Sequence, residues 1–219
     1  MSFEASERER WYPLSRSEEL VPRHIAHAQL LGQELALWRD DVGRANAWEN
    51  RCPHRGVRLS IGSNCGSELH CRYHGWRFAS ASGQCTFIPS HPTQKPASTI
   101  KARTFPVEER YGFVWVALFD APPLSSDERL QGRHVTTMRS LSVQAPPHSV
   151  ATALSELSWP NSTRVHWLQP VDEQCTVVHA ALLDLPAEAD LLAVLRVHNA
   201  ELARVRDLAE SRHQDRYSS

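Results

Sequence analysis

Long hydrophobic runs are absent from this chain of 219 residues. No stretch approaches the roughly 18 apolar residues that a membrane-spanning helix needs, and the polar stretch from Met1 to Arg10 lacks the apolar segment of a secretory signal. An excess of charge of one sign is also missing, since 24 Lys and Arg face 25 Asp and Glu, and we see no basic stripe. We therefore expect a cytoplasmic protein that binds neither nucleic acid nor a membrane.

Cysteine is scarce as well, and two of the five cysteines lie in short runs that also contain histidine. The runs are Cys52-Pro-His54 and Cys71-Arg-Tyr-His74, and sixteen residues separate His54 from Cys71. Each run supplies one thiolate and one imidazole, and a glycine follows each, where a turn with positive φ is inexpensive. The pattern predicts two matched loops that hold a metal centre from opposite sides.

Two kinds of metal centre use two cysteines and two histidines. In a Rieske [2Fe–2S] centre, two cysteines hold one iron and two histidines hold the other. A structural zinc ion also accepts this ligand set, but zinc fingers usually space cysteine with cysteine and histidine with histidine. Each run here is mixed, so the pattern favours the iron–sulfur centre and leaves zinc as the alternative.

The remaining cysteines, Cys65, Cys85 and Cys175, are interpreted as reduced thiols of the kind found in intracellular proteins. Cys65 lies between the two ligand runs and resembles a ligand in its position. It has no histidine at a matching offset, so we interpret it as a loop thiol.

The stretches Cys52-Pro-His-Arg-Gly56 and Cys71-Arg-Tyr-His-Gly-Trp-Arg-Phe78 resemble the N-terminal domain of Rieske non-haem iron oxygenases. The branch that they resemble most contains vanillate demethylase and phenoxybenzoate dioxygenase, and the resemblance extends over about residues 11 to 118. It implies a [2Fe–2S] cluster on Cys52, His54, Cys71 and His74, with the imidazoles as the electron exit and Arg55, Tyr73 and Trp76 around them.

The same resemblance implies a reduction potential. High-potential Rieske proteins of respiratory complexes have an additional cysteine in each ligand loop and a serine after the second loop's glycine. This chain has Val57, Tyr73 and Trp76 at those positions. Fewer hydrogen-bond donors then face the sulfurs, so we expect a potential near the low end of the Rieske range, toward about −150 mV.

The pattern of the whole chain predicts an α+β protein that is mostly β, with a Rieske antiparallel β domain followed by a truncated sheet-plus-helix region. Residues 35–39 pair with 45–49, and 76–78 with 85–88, as hairpins, whereas 163–169 and 175–180 form a later hairpin. A helix over 187–210 has one apolar face, which we expect to pack on the preceding sheet. The predicted divisions are a Rieske domain at 1–120, a linker at 121–132 and a shortened catalytic-like region at 133–219.

The second half lacks the motif for the mononuclear iron of a complete Rieske oxygenase, which the family holds with two histidines and a carboxylate. No histidine there has a second histidine four or five residues later and an aspartate three before it. We therefore expect no mononuclear Fe(II) and no catalytic residues of oxygen activation in this chain.

Three functions remain compatible with these residues. The first is an electron-transfer component that passes electrons to a mononuclear iron on a catalytic oxygenase subunit and receives them from a reductase or ferredoxin, in a hetero- or homo-oligomer. The second is a self-contained oxygenase with unusual iron ligands, drawn from His166, His179, Asp172 and Glu173. The third is a non-enzymatic Rieske-like module. The sequence does not indicate the substrate, and its motifs favour a subunit of an oxidoreductase.

Overall fold

The computed structural model describes residues 3–119, 121–157 and 163–215, and antiparallel strands dominate it. The strands are β1 Tyr12–Arg16, β2 Ile25–Leu30, β3 Gln33–Arg39, β4 Ala45–Glu49, β5 Ser63–Asn64, β6 Glu68–His70, β7 Arg77–Ala79, β8 Cys85–Phe87, β9 Thr104–Phe105, β10 Val107–Arg110, β11 Phe113–Val116, β12 Val135–Thr137, β13 Leu141–Val143, β14 Arg164–Pro170 and β15 Thr176–Leu183. The helices are α1 Ala5–Arg8, α2 Pro147–Glu156 and α3 Leu191–Asp215, with short 3₁₀ turns at Ser17–Glu19, Leu59–Ile61 and Glu128–Leu130. The protein therefore has the mostly β, α+β class that its sequence predicts.

The strands form four sheets in which every pairing is antiparallel. Three sheets belong to the first part of the chain, with strand orders β1-β11-β10, β2-β3-β4-β9 and β5-β6-β7-β8. The fourth contains β12, β13, β14 and β15, and β15 pairs with each of the others. The three predicted hairpins are confirmed, because β3 pairs with β4, β7 with β8 and β14 with β15.

The first part of the chain has two adjoining cores. One packs Leu30, Leu35 and Leu37 with Val114 and Val116, which joins the sheet of β1 to the sheet of β3. The other packs Trp38, Trp48 and Phe78 together with the cysteines at 52 and 71. The ligand loops therefore extend from a buried apolar layer, which holds their bases rigid.

Buried polar side chains fix the small sheet β5–β8 against the sheet of β3. The Asp40 carboxylate accepts hydrogen bonds from the backbone N–H of Arg44 at 2.7 Å and from the Ser80 hydroxyl at 2.6 Å. The Asn46 side chain accepts from the backbone N–H of Ala81 at 2.8 Å, and the Asn64 amide donates to the Arg39 carbonyl at 2.8 Å. Since buried polar groups are costly when unpaired, these bonds define one orientation of the sheet that carries the second ligand loop.

The second part of the chain packs two helices on its sheet. Val150 and Ala153 of α2 meet Leu202, Val205 and Ala209 of α3 in one core, which also contains residues of β13 and β15. The predicted C-terminal helix and its packing on the sheet are confirmed, with α3 at Leu191–Asp215 instead of 187–210. Helix α2 was not predicted.

Contacts also connect the two parts of the chain. Phe113 and Trp115 of β11 form a cluster with Ala181 and Trp167 of the C-terminal sheet. The backbone N–H of Leu31 donates to the Pro170 carbonyl at 2.8 Å. Within the described part of the chain, no helix is long and apolar enough to cross a membrane.

Candidate metal centre

The two predicted ligand loops are built on the same hydrogen-bond frame. The backbone N–H of Cys52 donates to the Val57 carbonyl at 2.8 Å, and the N–H of Gly56 returns to the Cys52 carbonyl at 2.8 Å. In the second loop, Cys71 N–H donates to the Trp76 carbonyl at 2.8 Å, and Gly75 N–H to the Cys71 carbonyl at 3.1 Å. The offsets of five and four residues are identical, so the loops present their cysteines in equivalent positions.

Both glycines of this frame adopt positive φ, +72° at Gly56 and +67° at Gly75. This conformation is unfavourable for residues with a Cβ atom. The glycines that follow the two ligand runs in the sequence are therefore required by the turns.

The two thiols lie together beneath the surface. Cys52 and Cys71 are each 4% exposed. The pKa of the Cys52 thiol is raised to about 11, chiefly by burial and also by the adjacent Cys71 thiol, whereas the backbone N–H groups of His54 and Arg55 act in the opposite direction. The desolvated Cys52 thiol becomes a thiolate readily only when a bound cation compensates its charge.

The two imidazoles lie above the thiols and nearer to solvent. The Nδ1 atoms of His54 and His74 are 3.0 Å apart, so both rings direct the same nitrogen to one point. The pKa of His54 is lowered by desolvation and by the charges of His74 and Arg55. Neutral imidazole is the form that coordinates a metal.

Aromatic contacts fix the orientation of both rings. His54 stacks on Trp76 with the ring planes at 7° and the centroids 4.3 Å apart. The ring of Tyr73 lies 3.8 Å from that of His74, and Tyr73 is 59% exposed.

The four predicted ligands are therefore arranged as one buried thiol pair and an imidazole pair that is more exposed. Among residues 3–119, 121–157 and 163–215, no His, Cys, Asp or Glu extends either pair to a group of three that could hold a single ion. A Rieske cluster takes two cysteines on one iron and two histidines on the other, so the donor set and its division into pairs fit this group.

A third loop lies against the second ligand loop. Ile88 at its start is buried, and the Pro89 ring approaches Gly75 so closely that an added Cβ would lie 3.1 Å from Pro89 Cγ. This loop follows Cys85, which is buried and belongs to the core under the loops. Cys65, in contrast, is exposed between β5 and β6, where its Sγ lies 3.4 Å from Nδ1 of His70, so the loop-thiol interpretation is confirmed.

Among the described residues, those considered as unusual iron ligands belong to no group of three that could hold a metal ion. In the register of β14 and β15, His166 faces Ala180 and Trp167 faces His179, which places His166 and His179 on opposite faces of the sheet. Both nitrogens of His179 have partners, the Ser140 hydroxyl at 2.9 Å and Oε1 of Gln169 at 2.8 Å. The pKa of His179 is lowered to about 4 by burial, against a weaker opposing effect of Glu19, so its role is structural.

The comparison with protein families identifies a Rieske [2Fe–2S] domain at residues 10–106. Among curated proteins, the chain is 46% identical over 150 residues to the oxidoreductase NdmD of Pseudomonas putida, covering 67% of this chain and 26% of NdmD. It is 38% identical over 130 residues to the 4beta-methylsterol monooxygenase of Methylococcus capsulatus, covering 56% of this chain and 35% of that enzyme. The chain thus spans only about a quarter to a third of these relatives.

Solved structures of oxygenases share the fold. Dicamba monooxygenase in its apo form superposes with a TM-score of 0.80 at 20% identity, covering 100% of this chain and 89% of that chain. NdmA of Pseudomonas putida CBB5 gives a TM-score of 0.76 at 20% identity, covering 93% of this chain and 81% of that chain.

Proposed function

This chain contains a Rieske [2Fe–2S] domain of the kind found in Rieske non-haem iron oxygenases, and on that premise we propose that it is an electron-transfer component of a Rieske-type oxygenase system. The observation that carries the proposal is the stacked arrangement of two donor pairs, buried thiols below and imidazoles with Nδ1 atoms 3.0 Å apart above. When bound, a [2Fe–2S] cluster accepts and releases one electron at a time.

Each residue of the site has a distinct task in this proposal. Cys52 and Cys71 would hold one iron through Sγ, and His54 and His74 would hold the other through Nδ1. The thiols are buried, whereas the imidazoles are nearer to solvent and to a partner. Tyr73 and Trp76 keep the rings aligned, since Trp76 stacks on His54 and the ring of Tyr73 lies against His74 at a tilt of 33°.

The proposed partners are a reductase or ferredoxin that supplies electrons and a catalytic oxygenase subunit that carries a mononuclear iron, within a hetero- or homo-oligomer. A carboxylate of the catalytic subunit would accept the remaining ring N–H of His54 or His74, as carboxylates commonly do for metal-bound imidazoles. The names of the relatives support this assignment to an oxygenase system, because they include the 3-chlorobenzoate-3,4-dioxygenase oxygenase subunit of Comamonas testosteroni.

Cluster binding is tested by ligand removal. We expect the purified protein to be coloured, to contain iron and acid-labile sulfide, and to give the paramagnetic signal of a Rieske centre on reduction. Cys71→Ser or His74→Ala should abolish all of these, because each leaves one iron with a single protein ligand. Cys65→Ser, which removes an exposed thiol outside the centre, is the matched control and should keep them. A colourless wild-type protein with one tetrahedral zinc ion, or full colour in Cys71→Ser, contradicts the proposal.

The number of irons separates an electron-transfer component from a self-contained oxygenase. We expect two irons per chain for the protein purified alone, both lost in Cys71→Ser. Three irons per chain, with one retained in Cys71→Ser, would instead assign an oxygen-activating centre to this polypeptide. Iron and acid-labile sulfide are measured in the wild type and in Cys71→Ser.

A further inference from the structure

The segment that carries the ligand loops is strongly basic, although the whole chain is nearly neutral. Residues 50–107 contain a single acidic residue, Glu68, against eight basic ones, Arg51, Arg55, Arg58, Arg72, Arg77, Lys95, Lys101 and Arg103. Since the complete chain has 24 basic and 25 acidic residues, the rest of the protein carries an acidic excess. The segment that carries the ligand loops is therefore basic, although Glu34 and Glu49 from other segments line a pocket together with Gly56 of the first loop.

Several of these cations are already engaged within the fold. Arg58 forms an ion pair with Glu34. The guanidinium of Arg77 lies 4.5 Å from the ring centroid of Phe87, and that of Arg103 lies 5.0 Å from the ring centroid of Phe105. These side chains have structural partners and contribute less to an external surface.

Two arginines beside the candidate metal centre are exposed and, in the part of the chain that the structure describes, form no ion pair. Arg55 follows His54 directly and Arg72 lies two residues before His74, and both are exposed. Within the described residues neither forms an ion pair. The third loop, over residues 88–99, adds Lys95 and has no Asp or Glu. We call the surface formed by His54, Arg55, Arg72, Tyr73 and His74 the basic face.

We propose that the basic face docks an acidic patch on a separate redox protein that exchanges electrons with this chain. The inference rests on the proposed function, because the imidazoles of the face are the proposed electron exit. Unpaired positive charge at an exit accelerates encounter with an acidic partner and disfavours basic ones. Tyr73, 59% exposed at the middle of the face, supplies the aromatic surface that protein interfaces favour.

A protein partner suits this face better than a nucleic acid does. Binding of a nucleic acid draws on many phosphate contacts from a wide basic surface, whereas the basic face offers only two arginines, Arg55 and Arg72. The acidic remainder of the chain would also repel a long polyanion.

The test compares two double variants that remove the same charge. Arg55→Gln/Arg72→Gln neutralises the basic face, and Arg196→Gln/Arg204→Gln neutralises two exposed arginines of α3 that have no ion pair in the described part of the chain. Binding of a fluorescent oligo-glutamate peptide is measured by anisotropy at low and high salt. We expect the first variant to bind about tenfold more weakly at low salt, high salt to remove the difference, and the control to bind like the wild type.

A kinetic measurement uses small redox probes on the reduced, cluster-containing protein. Ferricyanide, an anion, and hexaammineruthenium(III), a cation, each accept one electron and are followed by stopped flow. We expect Arg55→Gln/Arg72→Gln to slow oxidation by ferricyanide about tenfold without slowing oxidation by the cation. Equal changes for both probes would overturn the proposal, because they would show altered cluster properties and not steering.

Other outcomes also overturn it. If Arg55→Gln/Arg72→Gln binds the peptide like the wild type, the basic face is not the anion-binding site. The same conclusion follows if both double variants bind the peptide equally weakly. Tighter binding of single-stranded DNA than of the peptide would assign the face to nucleic acid. Loss of a self-associated form in light scattering of Arg55→Gln/Arg72→Gln would assign it to a second copy of this chain. Visible absorption shows in every sample whether the cluster is bound. A wild-type protein without a cluster would contradict the proposed function, and this result is distinct from failure of the docking proposal.

Discussion

At the scale of single residues, Gly62 controls the position of the second ligand loop. Gly62 has an ordinary φ of −78°, but a Cβ atom there would lie 2.3 Å from the His70 carbonyl oxygen, and His70 directly precedes Cys71. The contact is with backbone, so no side-chain rotation relieves it. Nothing in the local sequence distinguishes this glycine from one in a simple turn, because the requirement comes from a neighbouring strand.

Gly62→Ala is therefore expected to displace the end of β6 and with it Cys71. We predict a loss of roughly 1–3 kcal/mol in the free energy of unfolding, as for other overpacking substitutions, together with reduced iron content. The control is Gly132→Ala, where φ is +71° but nothing lies within 4 Å of the added Cβ; it should cost about 1–2 kcal/mol from backbone strain and keep full iron. Urea unfolding and iron analysis measure both, and normal stability and iron in Gly62→Ala would show that the strand yields freely.

The donor residues could be proposed at this scale, because the spacing within Cys52-Pro-His54 and Cys71-Arg-Tyr-His74 depends only on neighbouring residues. The structure pairs the two imidazoles and buries both cysteines, and their role as ligands stays a prediction. The basic face was missed because charge was counted over the whole chain, where the excess in residues 50–107 is cancelled by acids elsewhere. A count by segment would have revealed it.

At the scale of elements, the C-terminal helix depends on one apolar face. Leu202 of α3 is 2% exposed in the core shared with α2 and the sheet, whereas Leu192 on the same helix is 65% exposed. We expect Leu202→Ala to lower the free energy of unfolding by about 2–5 kcal/mol, because it leaves a cavity. Leu192→Ala should change it by less than about 0.5 kcal/mol. Denaturant midpoints of the two variants test this; equal effects would show that α3 is not packed as described.

Helices α2 and α3 show why one was predicted and the other was not. Helix α3 has 25 residues, and its apolar residues recur from Leu191 to Ala209, long enough for a helical period to emerge from the sequence. Helix α2 has 10 residues, only two of which, Val150 and Ala153, are buried, and it begins at Pro147. Its stability comes from contacts with α3 and the sheet, and short helices need such tertiary support.

At the scale of the whole molecule, two buried histidines, His179 and His198, and the partly buried His166 couple the stability of the C-terminal part to pH. Burial lowers the pKa values of His166, His179 and His198 to about 4. The charges of Arg164 act on His166 and His198 in the same direction, and Glu201 opposes them at His198. In the unfolded chain these imidazoles titrate near 6.5, so between pH 6.5 and 4 the unfolded state binds more protons than the folded state.

The sign of the effect follows from this difference in bound protons. Stability is complete above pH 6.5 and falls as the pH decreases toward 4, by up to about 1.4 kcal/mol per pH unit for each histidine. We predict a lower free energy of unfolding at pH 5.5 than at pH 7.5, and a smaller decrease in His179→Gln. The exposed-histidine variant His27→Gln is the control and should retain the full decrease. A pH-independent midpoint over this interval would contradict the prediction. The measurement is urea unfolding followed by circular dichroism.

The arrangement of the whole molecule was only partly accessible from the sequence. Strand β1 pairs with β11, about a hundred residues later, and Trp167 packs on Trp115 with ring centroids 5.5 Å apart. No local pattern specifies such partners, because they depend on how distant segments close on one another. The divisions at residues 120 and 132 remain predictions, and the contacts between β11 and the C-terminal sheet join the regions on either side.

The sequence alone determined the two ligand loops, the antiparallel hairpins and the final helix, because each rests on spacing or periodicity over a few neighbouring residues. Tertiary structure decided which donors are buried and which face solvent, since that depends on the apolar layer beneath the loops. It also separated His166 from His179, which are both strand histidines in the sequence, by placing them on opposite faces of one sheet. The fold also decided which arginines near the imidazoles lack an ion pair among the described residues. Distant residues such as Arg58 and Glu34 pair in the folded chain, and only the arginines left without such a partner can bind another protein.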